Sequence, residues 1–182
     1  MGPGTVFVDG YNVILATPAL AALHQRSLAA ARDALLERVI TVYRHTSRPV
    51  VIVFDGDGTG ETSQPIPGFG RGRLVFSRRG ETADSVIVRM AAAVCAVGGE
   101  ALVVTNDFAV RHDAQTRGAQ AARADDLRRE MTAPPRLLQK RFTHQQAVRR
   151  ELAEDGDDAE ARAEARKKGS ARKPPSNRNR GQ

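Results

Sequence analysis

The sequence predicts an α/β domain built on a mainly parallel sheet, on three observations. Short Val/Ile-rich runs alternate with longer stretches of helical periodicity. The runs are continuously apolar instead of alternating, as strands covered on both faces are. Three of them lead into a carboxylate: Asp9, Asp55 and Asp107.

The first run, Val6 to Val8, is too short for a helix and reads as a buried strand. It ends at Asp9, and Gly10 is expected to let the backbone turn sharply. Asn12 follows three residues later, within reach of the same site if a helix starts there. Asp9 equally suits a helix cap. A Pro18 turn and a short apolar piece ending near Leu23 come next. From Leu28 to about His45, with Ser27 as N-cap, apolar residues recur every three or four positions, as in an amphipathic helix. Arg32, Arg38 and Arg44 are expected to face water.

Val50 to Phe54 is the second strand, ending in Asp55-Gly56. Residues 56–72 are rich in Gly and Pro and read as a connecting loop. Their opening has the glycines of a phosphate-binding loop without its Lys or spacing, which excludes a nucleoside triphosphate site. Leu74 to Ser77 is a third strand. Arg78 and Arg79 precede a helix that Thr82 caps and Gly98-Gly99 stops, with Asp84 in its first turn. A carboxylate there also simply complements the helix dipole. Ala101 to Val104 is the fourth strand, followed by Thr105-Asn106-Asp107. Phe108 to Arg117 suits a short helix closed by Gly118, residues 119–122 a weak edge strand, and Asp125 to Met131 a further helical turn or two.

The chain has 182 residues, enough for one domain and an appendage. Its formal charge of +7 is uneven: residues 1–133 carry +1 and residues 134–182 carry +6. We therefore divide it into a domain over 1–133, a helical extension over 134–152 and a charged tail over 153–182. The last seventeen residues hold seven Lys+Arg and no acid, and are expected to be disordered. Such a basic appendage suits a polyanionic partner. Cys95 is the only cysteine, which excludes an internal disulfide or a thiolate zinc cage, and it falls in an apolar helical pattern. Neither a signal peptide nor a membrane-length apolar run is evident, so the expected setting is cytoplasmic, with no membrane partner.

In parallel sheets, ligands bind at the carboxyl ends of strands. Asp9, Asp55 and Asp107 belong to that edge, and Asp84 can project to it. Gathered like charges repel and need a positive counterpart. The four His show no ligand spacing, so oxygen-only ligation by Mg²⁺ or Mn²⁺ is the economical answer. Such an ion suits phosphodiester hydrolysis: it makes a water-derived nucleophile available near neutral pH and neutralises charge on the transition state. A basic tail fits a nucleic-acid substrate.

Four segments carry a family resemblance: Val-Asp-Gly-Tyr-Asn-Val-Ile from Val8, Val-Phe-Asp-Gly from Val53, Gly-Glu-Thr-Ala-Asp-Ser-Val-Ile from Gly80, and Val-Val-Thr-Asn-Asp from Val103. In order and spacing, over about residues 5–123, they resemble the YacP-like NYN family of PIN-like nucleases. The resemblance implies a PIN-like three-layer α/β/α fold and metal-dependent endoribonuclease activity. Ribosome-associated mRNA is the substrate of some relatives. By motif, Asp9, Asn12, Asp84 and Asp107 correspond to the acidic site, with Asp9, Asp84 and Asp107 on the metal. Asp55 and Asp113 are secondary candidates. Several related nucleases have an acid four residues after the last Asp; Arg111 stands there in this chain. A second acid often follows the third motif, where this chain has Ser85. Arg78 and Arg79 are candidates for gripping the RNA backbone. Two other readings use the same residues: a non-catalytic RNA- or ribosome-binding module, and a phosphatase or small-molecule hydrolase with no need of a basic tail.

Overall fold

The computed structural model describes residues 4–58 and 63–132. The helical extension over 134–152 and the tail over 153–182 lie outside the described residues. The elements run β1 (Thr5–Asp9), α1 (Gly10–Ala16), α2 (Pro18–His24), α3 (Leu28–Tyr43), β2 (Val50–Phe54), β3 (Ser63–Pro65), β4 (Gly72–Phe76), α4 (Ala83–Ala96), β5 (Ala101–Val104), α5 (Phe108–Thr116), β6 (Gln120–Ala122) and α6 (Ala124–Thr132). Strands and helices alternate as expected, and the expected caps form. Ser27 Oγ accepts from the Ala30 N–H, and Thr82 Oγ1 from the Ser85 N–H. Gly98 and Gly118 close α4 and α5 with φ of +76° and +89°.

The strands form one sheet in the order β3-β4-β2-β1-β5-β6. Every pairing is parallel except β3 with β4. The chain winds outward from β1 through β2 to β4, then crosses by α4 to β5 on the other side of β1. The direction therefore reverses between β1 and β5, and at such a reversal the strand ends open a crevice.

Side chains alternate through the central strands. Phe7, Val51, Val53, Val75 and Val103 pack in one cluster with Val86, Ile87 and Ala91 of α4 and with Val110 and Ala114 of α5. Cys95 packs against this cluster, partly buried. Val6, Val8, Val50, Ile52 and Phe54 are buried at the alternate positions. On that side lie α1, α3 and α6, which pack against one another. The result is three layers, α/β/α.

One expectation changes. The stretch read as a plain loop over 56–72 contains β3, because β4 starts at Gly72 and its outer edge accepts a short antiparallel partner. Pro65 fits there, at the end of an edge strand that needs few donors. At Gly10 the backbone turns directly from β1 into α1, and it does so without a positive φ. Glycine is required by close approach, since a Cβ there would lie 2.2 Å from the Phe54 ring.

Candidate active site

Asp9 ends β1, and its side chain caps α1. Its Oδ1 accepts the Asn12 N–H at 3.1 Å, and its Oδ2 accepts the Thr105 hydroxyl at 2.9 Å. Val8 pairs with Val104, so the next residue of each strand, Asp9 and Thr105, meet across the reversal between β1 and β5. Thr105 is fully buried, and its Oγ1 also accepts the Asp107 N–H at 3.1 Å. Asn12 Oδ1 takes the Asn106 N–H at 2.8 Å, and Asn106 Oδ1 takes the Ala124 N–H at 3.1 Å. Hydrogen bonds thus join the ends of β1 and β5 to the starts of α1, α5 and α6.

Asp9 is buried, whereas Asp55, Asp84 and Asp107 are exposed. Burial pushes the Asp9 carboxyl up to about 6 against the lowering effect of its two hydrogen bonds, and the charges of Asp84 and Asp55 add to the rise. Partial desolvation raises Asp84 as well, followed by the charges of Asp107 and Asp55. Asp113 is not among the charges that act on either group; it pairs with Arg117 at 2.9 Å along α5. Asp55 has a structural task, its Oδ1 accepting the Ala83 N–H at the start of α4 at 2.8 Å. Asp107 caps α5 through the Val110 N–H at 3.0 Å. Among the described residues, none of these four carboxylates forms an ion pair.

Among the described residues, no three His, Cys, Asp or Glu gather closely enough to hold a metal ion by themselves. The donor chemistry nevertheless fits a hard divalent cation. Mg²⁺ typically keeps several waters and takes one or two protein carboxylates together with substrate phosphates. Mutually repelling carboxylates with no cationic partner among the described residues suit such an ion.

Arg78 and Arg79 are exposed on the loop before α4. Three residues at this edge have no clear signal in the sequence. Thr105 and Asn106 bind the strand ends together; a polar triplet closing an apolar strand marks them, but only the β1–β5 pairing gives it meaning. Arg32, expected in water, is half-buried, its guanidinium 5.3, 5.2 and 5.2 Å from the ring centroids of Tyr11, Phe54 and Phe76. It donates to the Tyr11 hydroxyl. Tyr11 in the first turn of α1 and Phe54 and Phe76 at the ends of β2 and β4 make a box that a planar cation fills. Arg111, four residues after Asp107, donates to the Thr105 carbonyl at 3.0 Å.

A three-layer α/β/α domain with carboxylates at the reversal of its sheet is the architecture of PIN-like nucleases. The chain belongs to the YacP-like NYN domain family, whose model matches residues 6–168. It is 29% identical over 141 residues to the uncharacterized protein YacP of Bacillus subtilis (strain 168), covering 75% of this chain and 79% of that one. The crystal structure of Rae1 (YacP) from Bacillus subtilis matches with a TM-score of 0.59 at 28% identity, over 91% of each chain. A point variant of the same protein matches with a TM-score of 0.58 at 28% identity, over 77% of this chain and 79% of that one.

Proposed function

We propose that the chain is a Mg²⁺- or Mn²⁺-dependent endoribonuclease that hydrolyses RNA phosphodiester bonds, with ribosome-associated mRNA as a natural substrate. The observation that carries this reading is the position of Asp9, Asp55, Asp84 and Asp107 at strand ends and helix starts along one edge of the sheet, near enough that their charges raise Asp9 and Asp84, with no ion pair to any of them among the described residues. Of Asp9, Asp84 and Asp107, one or two would hold the ion directly and the rest through its waters. When bound, it would supply a nucleophile from water near neutral pH and offset charge at the scissile phosphate.

The chain's own residues set the geometry. Thr105 and the Asn12 N–H fix both oxygens of Asp9, so this carboxylate does not rotate. Asn12 commits its Oδ1 to Asn106, which leaves its Nδ2 to donate to a phosphate oxygen. Arg78 and Arg79, both exposed, would meet neighbouring phosphates, and the basic C-terminal segment would add salt-sensitive affinity.

Incubating the full-length protein with mixed RNA tests the reading. Cleavage is expected with Mn²⁺, none with chelator, and none in Asp9→Asn or Asp84→Asn variants that keep the wild-type circular dichroism. Equal cleavage by either variant removes the assignment. A second reading, a non-catalytic RNA- or ribosome-binding module, is favoured by the lack of a tight three-carboxylate group among the described residues. It predicts RNA or ribosome binding with no cleavage under any divalent ion.

A further inference from the structure

Phe108 is 73% exposed, although a phenylalanine ring normally seeks burial. It is the first residue of α5 and directly follows Asp107. His112, one turn on, is also exposed and holds its ring nearly parallel to that of Phe108, at 7° with centroids 6.0 Å apart. Among the described residues, the other exposed large hydrophobics are aliphatic: Leu15, Leu28 and Val97. This exposed aromatic face thus stands beside the acidic edge. Between the two rings in sequence, Arg111 turns back to the Thr105 carbonyl and leaves the shelf uncovered.

We infer that Phe108, extended by His112, is the base-stacking platform of the candidate nuclease site, binding the unpaired nucleobase next to the scissile phosphate. This inference rests on the endoribonuclease reading for its substrate. Any base has a π face, so an exposed ring accepts every base without reading its edge. A base paired within a duplex is already stacked and cannot reach the ring. A nucleotide carries its base and its phosphate on one sugar, and Phe108 and Asp107 are likewise consecutive, as first residue and N-cap of α5. Phe108 therefore positions the strand, while the carboxylates face its backbone.

The test is the affinity of full-length protein for a short fluorescent single-stranded RNA, read by anisotropy in chelator so that no strand is cut. Phe108→Ala is expected to weaken binding roughly 5- to 150-fold. Phe108→Trp should keep wild-type affinity, and Phe108→Leu should fall with the alanine variant. Thermal midpoints should stay together, because an exposed ring adds little to the fold. An abasic scan of the RNA locates the partner: at one position the wild type should lose the same factor, and Phe108→Ala should lose nothing more. Wild-type affinity in Phe108→Ala, full rescue by Leu, or an unchanged penalty at every abasic position overturns the platform. A wild type that shows ring-dependent binding but cleaves nothing with Mn²⁺ overturns the nuclease reading and leaves the platform standing. A wild type that binds no RNA overturns both.

Discussion

Asp9 shows how one side chain is both cap and candidate ligand. Its hydrogen bonds to Asn12 and Thr105 hold it, yet burial raises its carboxyl to about 6, above the ordinary 3.8. The consequence is a stability that depends on pH. Below about pH 4 the group is neutral, folded or unfolded. From there to about pH 6 the folded chain keeps a proton that the unfolded chain has released, so stability falls as pH rises. Above that window the full cost, of the order of 3 kcal/mol, is present. Asp9→Asn removes this titration. Urea denaturation in chelator should show the variant gaining on wild type from about pH 4 to 7 by about that amount. A difference between the two that stays constant with pH would rule out a raised carboxyl. Gly10 acts at the same scale: only a hydrogen fits against Phe54, and this allows α1 to start immediately at the strand end.

Among elements, α4 matters most, because it carries the chain across the sheet to β5 and brings Asp84 to the carboxyl edge. Its start is held twice. Thr82 caps it locally, and Asp55 reaches over from the end of β2 to the Ala83 N–H. Replacing Asp55 with Ala leaves a helix-terminal donor beside a buried residue without that acceptor, and should cost about 0.5–2 kcal/mol. Asp55→Asn keeps an acceptor oxygen and should recover most of the loss. Thermal and urea midpoints decide this; equal midpoints in Ala, Asn and wild type would mean that Asp55 does not support α4. The spacing of apolar residues and caps makes α3, α4 and α5 legible, since these signals are local. The short strand β3 is not legible, because Ser63–Pro65 has no strand pattern of its own and exists only through its pairing with β4. Arg32 is misplaced by local pattern for a similar reason: on α3 alone it belongs to the polar face, and the rings that draw it in come from α1, β2 and β4.

At the scale of the molecule, charge is segregated. Residues 1–133 are nearly neutral, and the last seventeen carry seven Lys+Arg and no acid. Among the described residues no helix is long and apolar enough to cross a membrane. If the basic segment only tethers RNA, deleting residues 151–182 should leave cleavage of a short oligonucleotide intact. Binding of long RNA should weaken, and the slope of its logarithm against log salt should flatten by about 0.7 for each phosphate that the shortened chain no longer neutralises. Parallel loss of short-oligonucleotide cleavage would make the segment part of the reaction.

The sequence alone determined the alternation of buried strands and amphipathic helices, the acids that close the strands and the separation of the basic end, because each is written in neighbouring residues. Its successive motifs also carried the family likeness. Only the tertiary structure decided that β5 lies beside β1, that Thr105 therefore meets Asp9, that Asp55 serves α4, and that Phe108 is left bare beside Asp107. Those arrangements join segments far apart along the chain or depend on what packs over them, and local pattern does not encode which strand ends become neighbours.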